Sequence, residues 1–177
     1  MDNRKEQEAY KNLKNNAYGR SFEQGIEFAC KHYIDDGLAA VSKTPEPFRV
    51  LKKFKGGIFK GQFTARAHPD FKGTVKGGRS IIFEAKYTST EVMKKKVVTE
   101  KQAEVLDEHL KLGAIAGVCV GIQDRYFFVP WDTWRSMKEI IGKQSARADD
   151  LKEWEVPWKK GVMFLENMKD KIDGQGI

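Results

Sequence analysis

The sequence predicts a mixed α/β fold, a mixed β-sheet flanked by helices. Three observations lead to it. Apolar residues recur at helical spacing in three segments, short runs rich in Val, Ile and Phe lie between them, and Gly-Gly pairs punctuate two of the intervening stretches as hairpins do. With 177 residues and 40% apolar content, the chain suits one globular domain with its own core.

Residues 1–15 are polar and read as an N-terminal tail. Ser21 and Gln24 make a capping-box signature, and Phe22, Ile26, Ala29 or Cys30, and Tyr33 recur on one face, which predicts a helix over about 21–36 ending at Gly37. Residues 38–43 (LAAVSK) read as a strand closed by the turn signal Thr44-Pro45-Glu46-Pro47. A hairpin with Gly56-Gly57 at its tip occupies about 49–66, and a second pairs 70–76 with 79–86 around Gly77-Gly78. Thr99 with Gln102 opens another capped helix that ends near Gly113. Residues 114–121 and 125–130 read as strands, and WDTWRSMKEII as one amphipathic helix. The domain spans 16–168, and 169–177 form a polar C-terminal tail.

No apolar run is long enough to cross a bilayer and the N-terminus lacks a signal-peptide pattern, so a cytoplasmic location is expected. Cys30 and Cys119 lie in apolar periodic segments, far from any CxxC arrangement, and read as reduced core residues. The net charge of +7, from 32 basic and 25 acidic residues, favours a polyanionic partner.

The chemistry concentrates at AHPDFKGTVKGGRSIIFEAKYT, residues 67–88. Strand alternation puts Ile82, Glu84 and Lys86 on one face and Ile81, Phe83 and Ala85 on the other. Asp70 joins Glu84 and Lys86 only if the hairpin closes with a three-residue loop or carries a bulge. A two-residue turn at Gly77-Gly78 would pair Asp70 with Ala85 and turn it to the wrong face. Two carboxylates on one face make a hard oxygen site suited to Mg²⁺, with Mn²⁺ expected to substitute. A lysine beside them can orient a water for attack on a phosphodiester. A surface salt bridge at a strand end is the alternative for an isolated ExK.

Pro69-Asp70, followed after thirteen residues by Glu84-Ala85-Lys86, resembles the PD-(D/E)xK nucleases. The chain is similar in particular to RecU-type Holliday junction resolvases, from about Asn16 to Met168, through NAYGRSFE, LAAVSKTPEP, PDFKG, FEAKYT, KQAEVLDEHLKLGAIAGVCV and KKGVMFLENM. The resemblance implies a restriction-endonuclease-like sheet with a protruding stalk. It implies a homodimer that resolves four-way DNA junctions by paired symmetric nicks, in recombination and repair. It also implies that Asp70 and Glu84, with the Ala85 carbonyl, bind the metal, that Lys86 is the catalytic lysine, and that Glu23 approaches from the first helix. Two alternatives stand beside it: a restriction or repair nuclease of the same superfamily, and a non-catalytic DNA-binding or annealing protein. The TEVMKKKVVTEKQ segment and the short N-terminal arm depart from the family pattern and suggest a compact, phage-encoded relative.

Two readings stand for Gln102, the family's helix glutamine and the capping partner of Thr99. Two stand for His68, an exposed side chain and a general acid. The stretch Arg49 to Arg66 holds six basic residues, no acid, and Phe54, Phe59 and Phe63. It is either an edge hairpin whose phenylalanines enter the core or a DNA-contacting protrusion. The resemblance favours the latter, with Lys52, Lys53, Lys55, Phe59, Lys60 and Arg66 as DNA contacts. Lys94, Lys95 and Lys96 form a weaker patch or a solvated loop. Trp131, Trp134, Trp154 and Trp158 read as core or dimer contacts.

Overall fold

The computed structural model describes residues 3–45, 48–63 and 68–168. Helix α1 (Asn3–Asp35) begins well before Ser21, so the Ser21–Gln24 pair does not start a helix. Residues 4–14 are mostly Arg, Lys, Glu, Gln, Ala and Leu, strong helix formers, and the helix that they favour runs on through the weaker Asn15, Asn16 and Gly19. The chain then forms β1 (Ala39–Lys43), β2 (Phe48–Lys53), β3 (Phe59–Phe63), β4 (Phe71–Val75), β5 (Ser80–Thr88) and β6 (Val92–Lys94). Helix α2 (Glu100–Lys111) is followed by β7 (Ile115–Ile122), β8 (Arg125–Pro130), α3 (Trp131–Arg135), α4 (Met137–Ile141), β9 (Ser145–Arg147) and β10 (Glu155–Val156).

Six strands make the main sheet in the order β1-β4-β5-β7-β8-β10. Only β5 and β7 run parallel, and α2 is their crossover. That central pair is covered on both faces, as parallel strands require. On one face Phe22, Ile26, Ala29 and Tyr33 of α1 pack on Phe71, Ile81, Phe83 and Phe164. On the other, Leu106 of α2, Trp131, Trp134 and Met137 pack on Ile82, Val118 and Val120. Ile82, Glu84 and Lys86 thus lie under α2, not on an open surface. Cys30 and Cys119 are buried free thiols, and burial pushes Cys30 up to about 12.

WDTWRSMKEII forms two short helices rather than one. Trp131, Trp134 and Met137 are all buried, and their spacing of three would carry them progressively round a continuous 3.6-residue helix. The break at Ser136, the cap shared by α3 and α4, re-aims Met137 into the core. Of the other tryptophans, Trp154 is half-buried against the α2-side core, whereas Trp158 is exposed and packs on Tyr126. The β2–β3 hairpin forms a separate two-stranded sheet, and β6–β9 another.

Candidate active site

The β4–β5 hairpin determines which side chains meet. Val75 and Arg79 close it around Lys76, Gly77 and Gly78, a three-residue loop in which both glycines take the left-handed φ that other residues disfavour. The odd loop pairs Phe71 with Phe83 and Gly73 with Ile81. Continued one residue further, that register sets Asp70 opposite Glu84, on the Glu84 face.

Around that point the polar groups interlock. Asp70 Oδ2 accepts from the Ala85 N–H at 2.9 Å and from Lys86 Nζ at 3.4 Å. Lys86 Nζ also donates to Glu84 Oε2 at 2.8 Å, and Gln102 Nε2 donates to the same oxygen at 2.5 Å. Gln102 at the same time caps its own helix, its carbonyl oxygen accepting from the Thr99 N–H at 3.0 Å. The capping reading of Gln102 thus holds, and the same side chain reaches Glu84.

Glu84 is only 1% exposed and is the sole buried charged residue among those described. Burial raises its carboxyl from 4.5 to about 7, against the lowering effect of Lys86, with Asp70 adding to the rise. Burial would lower Lys86, but the Asp70 and Glu84 carboxylates overcome it and hold the ammonium above its ordinary value. Glu84 Oε1 is buried with no hydrogen-bond partner, which leaves a hard oxygen open to a further ligand.

Glu23 stands apart from this cluster. Its Oε2 is 2.5 Å from Lys43 Nζ at the end of β1. That hydrogen bond raises Lys43 above its ordinary value, and Asp70 acts in the same direction from nearby. Lys43 lies opposite Phe71, and the Thr44 N–H donates to the Asp70 carbonyl at 2.8 Å. Lys43 thus connects the α1 carboxylate to the Asp70 region. Sequence reasoning missed it, and its only signal was a place beside the turn in SKTPEP. His68 is exposed. Ala85 meets Asp70 through its N–H, whereas the resemblance implies a ligand role for its carbonyl. Among the described residues no three His, Cys, Asp or Glu side chains converge as a metal cage, so an ion here draws on Asp70, Glu84, backbone and water.

The hairpin between β1 and β4 stands clear of the core. Every residue of β2 is exposed, and Phe54 and Phe59 are 50% and 53% exposed. This removes the reading in which those rings enter the core. The register, with a bulge at Leu51, puts Arg49, Lys52 and Lys60 on one face and Phe48, Val50 and Phe59 on the other. Phe48 and Phe59 rings meet edge to face at 5.2 Å. Lys55, Gly56 and Gly57 form the tip, and Lys53 pairs with Phe59. Arg66 and the two flanking connections, 46–47 and 64–67, lie outside the described residues.

The profile of the family described as "Recombination protein U" (RecU) matches residues 17–166. The chain belongs to the RecU family. It is 27% identical over 133 residues to the Holliday junction resolvase RecU of Lactobacillus delbrueckii subsp. bulgaricus, covering 67% of this chain and 63% of that relative. RecU resolvases of Streptococcus pneumoniae and Staphylococcus aureus are 25% and 22% identical over 172 and 173 residues. Those alignments cover 88% and 90% of this chain, and 85% and 82% of the relatives. The chain thus spans somewhat under two thirds of the first relative's length and more of the others. Among solved structures, Archaeoglobus fulgidus Hjc, a Holliday junction resolvase, superposes with a TM-score of 0.47 at 12% identity over 76% of this chain and 93% of Hjc. Among the described residues no helix of this RecU-family chain is long and apolar enough to cross a membrane.

Proposed function

We propose that this RecU-family chain is a metal-dependent, structure-selective endonuclease that resolves four-way DNA junctions. The observation that carries the reading is the meeting of Asp70, Glu84 and Lys86 beside an exposed basic hairpin, with one Glu84 oxygen buried and unpaired. A protein that only bound DNA would gain nothing from two carboxylates facing a polyanion.

The donor set fits Mg²⁺, with Mn²⁺ as a substitute: Asp70 and Glu84 would hold the ion, the Ala85 carbonyl would add a ligand, and waters would complete the shell. Held there, the ion would supply stabilisation of charge developing on the phosphate and the leaving oxygen. The remaining steps belong to the chain. Gln102 and Lys86 both hold Glu84 Oε2, which leaves Oε1 available. The Ala85 N–H fixes the Asp70 carboxylate. Lys86, held cationic by its two neighbours, positions the attacking water and stabilises negative charge as it develops there. Glu23 and Lys43 border the site from α1 and β1. His68, exposed two residues before Asp70, would be the side chain for a general-acid role.

The hairpin supports a DNA partner on its own terms. Lys52 and Lys60 sit directly opposite each other, and like charges in that position destabilise a lone hairpin unless an anion bridges them. Phosphate contacts fall to its lysine face and entry into an open junction centre to its phenylalanine face. Paired nicks in strands of like polarity need two active sites, which a C2 homodimer supplies in the symmetry of the junction. The test is cleavage of a four-way junction, a fork, a duplex and single-stranded DNA in Mg²⁺. Symmetric nicking of the junction with the other three spared is expected, whereas equal cutting of duplex would favour a restriction or repair nuclease.

A further inference from the structure

We propose that Lys94, Lys95 and Lys96 form a second DNA-binding surface, which holds backbone phosphates of the duplex arm leaving the active site on its α2 side. The proposal rests on the junction-nuclease reading and extends it to where an arm lies.

The three lysines line a hollow of about 300 Å³, shared only with Gln144 and Ser145. No acidic side chain among the described residues lines it. The backbone that carries them is held in place. Lys94 pairs with Ser145 across the β6–β9 ladder, the Lys95 N–H donates to the Gln144 carbonyl at 3.0 Å, and the Val98 N–H closes the turn on the Lys95 carbonyl at 3.3 Å. Met93 and Val98, both buried, anchor the two ends in the α2-side core.

Only Lys95 has an internal use, its Nζ donating to the Arg135 carbonyl. Lys94 and Lys96 are exposed, and their side chains make no ion pair or hydrogen bond to another described residue. Two ammoniums held beside a third repel one another, and a bridging phosphate relieves that repulsion. Of the acids nearest along the chain, Glu91 faces Arg147 at 3.9 Å, and Glu100 lines the neighbouring hollow that Lys95 and Lys96 share.

The position matters as much as the charge. Residues 89–98 join β5, which carries Lys86, to α2, which carries Gln102. Their buried anchors share a core with Ile82, on the Glu84 face. The basic hairpin is inserted between β1 and β4, ahead of Asp70. A duplex with its phosphate at Asp70 and Glu84 would then meet basic residues from two separate segments, one before β4 and one after β5.

The test is a salt-series binding titration of the full chain, without divalent cation, on junctions with long arms and on junctions whose arms are cut back to a few base pairs. Lys94→Ala/Lys96→Ala should weaken long-arm binding on the order of tenfold and flatten the log-log salt slope by about 0.9 for each phosphate no longer neutralised. The short-arm junction should bind wild type and variant alike. Lys94→Glu/Lys96→Glu should deepen the long-arm defect, with thermal melting as the control for folding. Unchanged affinity and slope on long arms would overturn the proposal, as would an equal loss on both junctions. Wild type that binds neither junction would defeat the junction-nuclease reading itself, an outcome separate from any variant effect.

Discussion

Gln102 Nε2 donates to Glu84 Oε2 at 2.5 Å while the same side chain's carbonyl caps α2 through Thr99. One residue thus couples the start of a helix to the orientation of a buried carboxylate. Thr99→Ala should cost about 1 kcal/mol of stability, as removal of an N-cap does, yet retain most cleavage because the amide still reaches Glu84. Gln102→Ala should cost a similar stability and lose cleavage as well. Comparing thermal melting with junction cleavage for the two variants separates the roles, and equal activity in both would reduce Gln102 to a cap.

Lys86→Ala should lower cleavage by at least about a hundredfold, the scale of a misplaced reacting group. Metal affinity, read by calorimetry with Mn²⁺, should be retained because the lysine holds the nucleophile rather than the ion. A loss of affinity as large as that of Glu84→Gln would contradict that division.

The raised Glu84 carboxyl makes a pH prediction for the metal-free protein. The folded state keeps this proton up to about 7 whereas the unfolded chain releases it near 4.5, so the contribution is present below 4.5 and is lost as pH rises towards 7. In chelator, the melting temperature of wild type relative to Glu84→Gln should therefore fall across that window. A flat difference would mean that Lys86 compensates the buried charge fully.

The two faces of the hairpin predict different phenotypes. Arg49, Lys52 and Lys60, which share one face, changed together to alanine should weaken junction and duplex binding alike and flatten the salt dependence by about 0.9 in log-log slope for each phosphate released. Phe59→Ala, with its ring 53% exposed, should keep its melting temperature and most duplex binding but lose preference for junctions. A sharp fall in melting temperature with unchanged selectivity would make the ring structural.

The meeting of Asp70, Glu84 and Lys86 was legible because strand periodicity and loop parity are local: Gly77-Gly78 and an odd loop suffice to bring Asp70 beside Glu84. Gln102 was legible as a cap, and only the packing of α2 over β5 brings the same side chain to Glu84. Lys43 was not, because its proximity to Asp70 depends on β1 pairing with β4, a long-range register with no mark in either segment. The start of α1 was not legible either: Asn15, Asn16 and Gly19 are weak helix formers and agree with a helix start at Ser21, yet the helix runs through them from the helix-favouring residues 4–14. The fate of Phe54 and Phe59 was equally open in the sequence. Alternation tells which rings share a face, whereas burial depends on whether the hairpin packs on the main sheet.

The central claim is that Asp70 and Glu84 serve cleavage rather than DNA affinity, and the most direct measurement is junction binding and junction cleavage on the same preparations of Asp70→Asn and Glu84→Gln. With less negative charge facing the phosphates, both variants should bind the junction as tightly as wild type or more tightly. In Mg²⁺ both should lose nicking by on the order of a thousandfold or more, as expected when charge stabilisation at the reacting phosphate is removed. Nicking at the wild-type rate by either variant, or a loss of nicking that only tracks a loss of binding, would contradict the account.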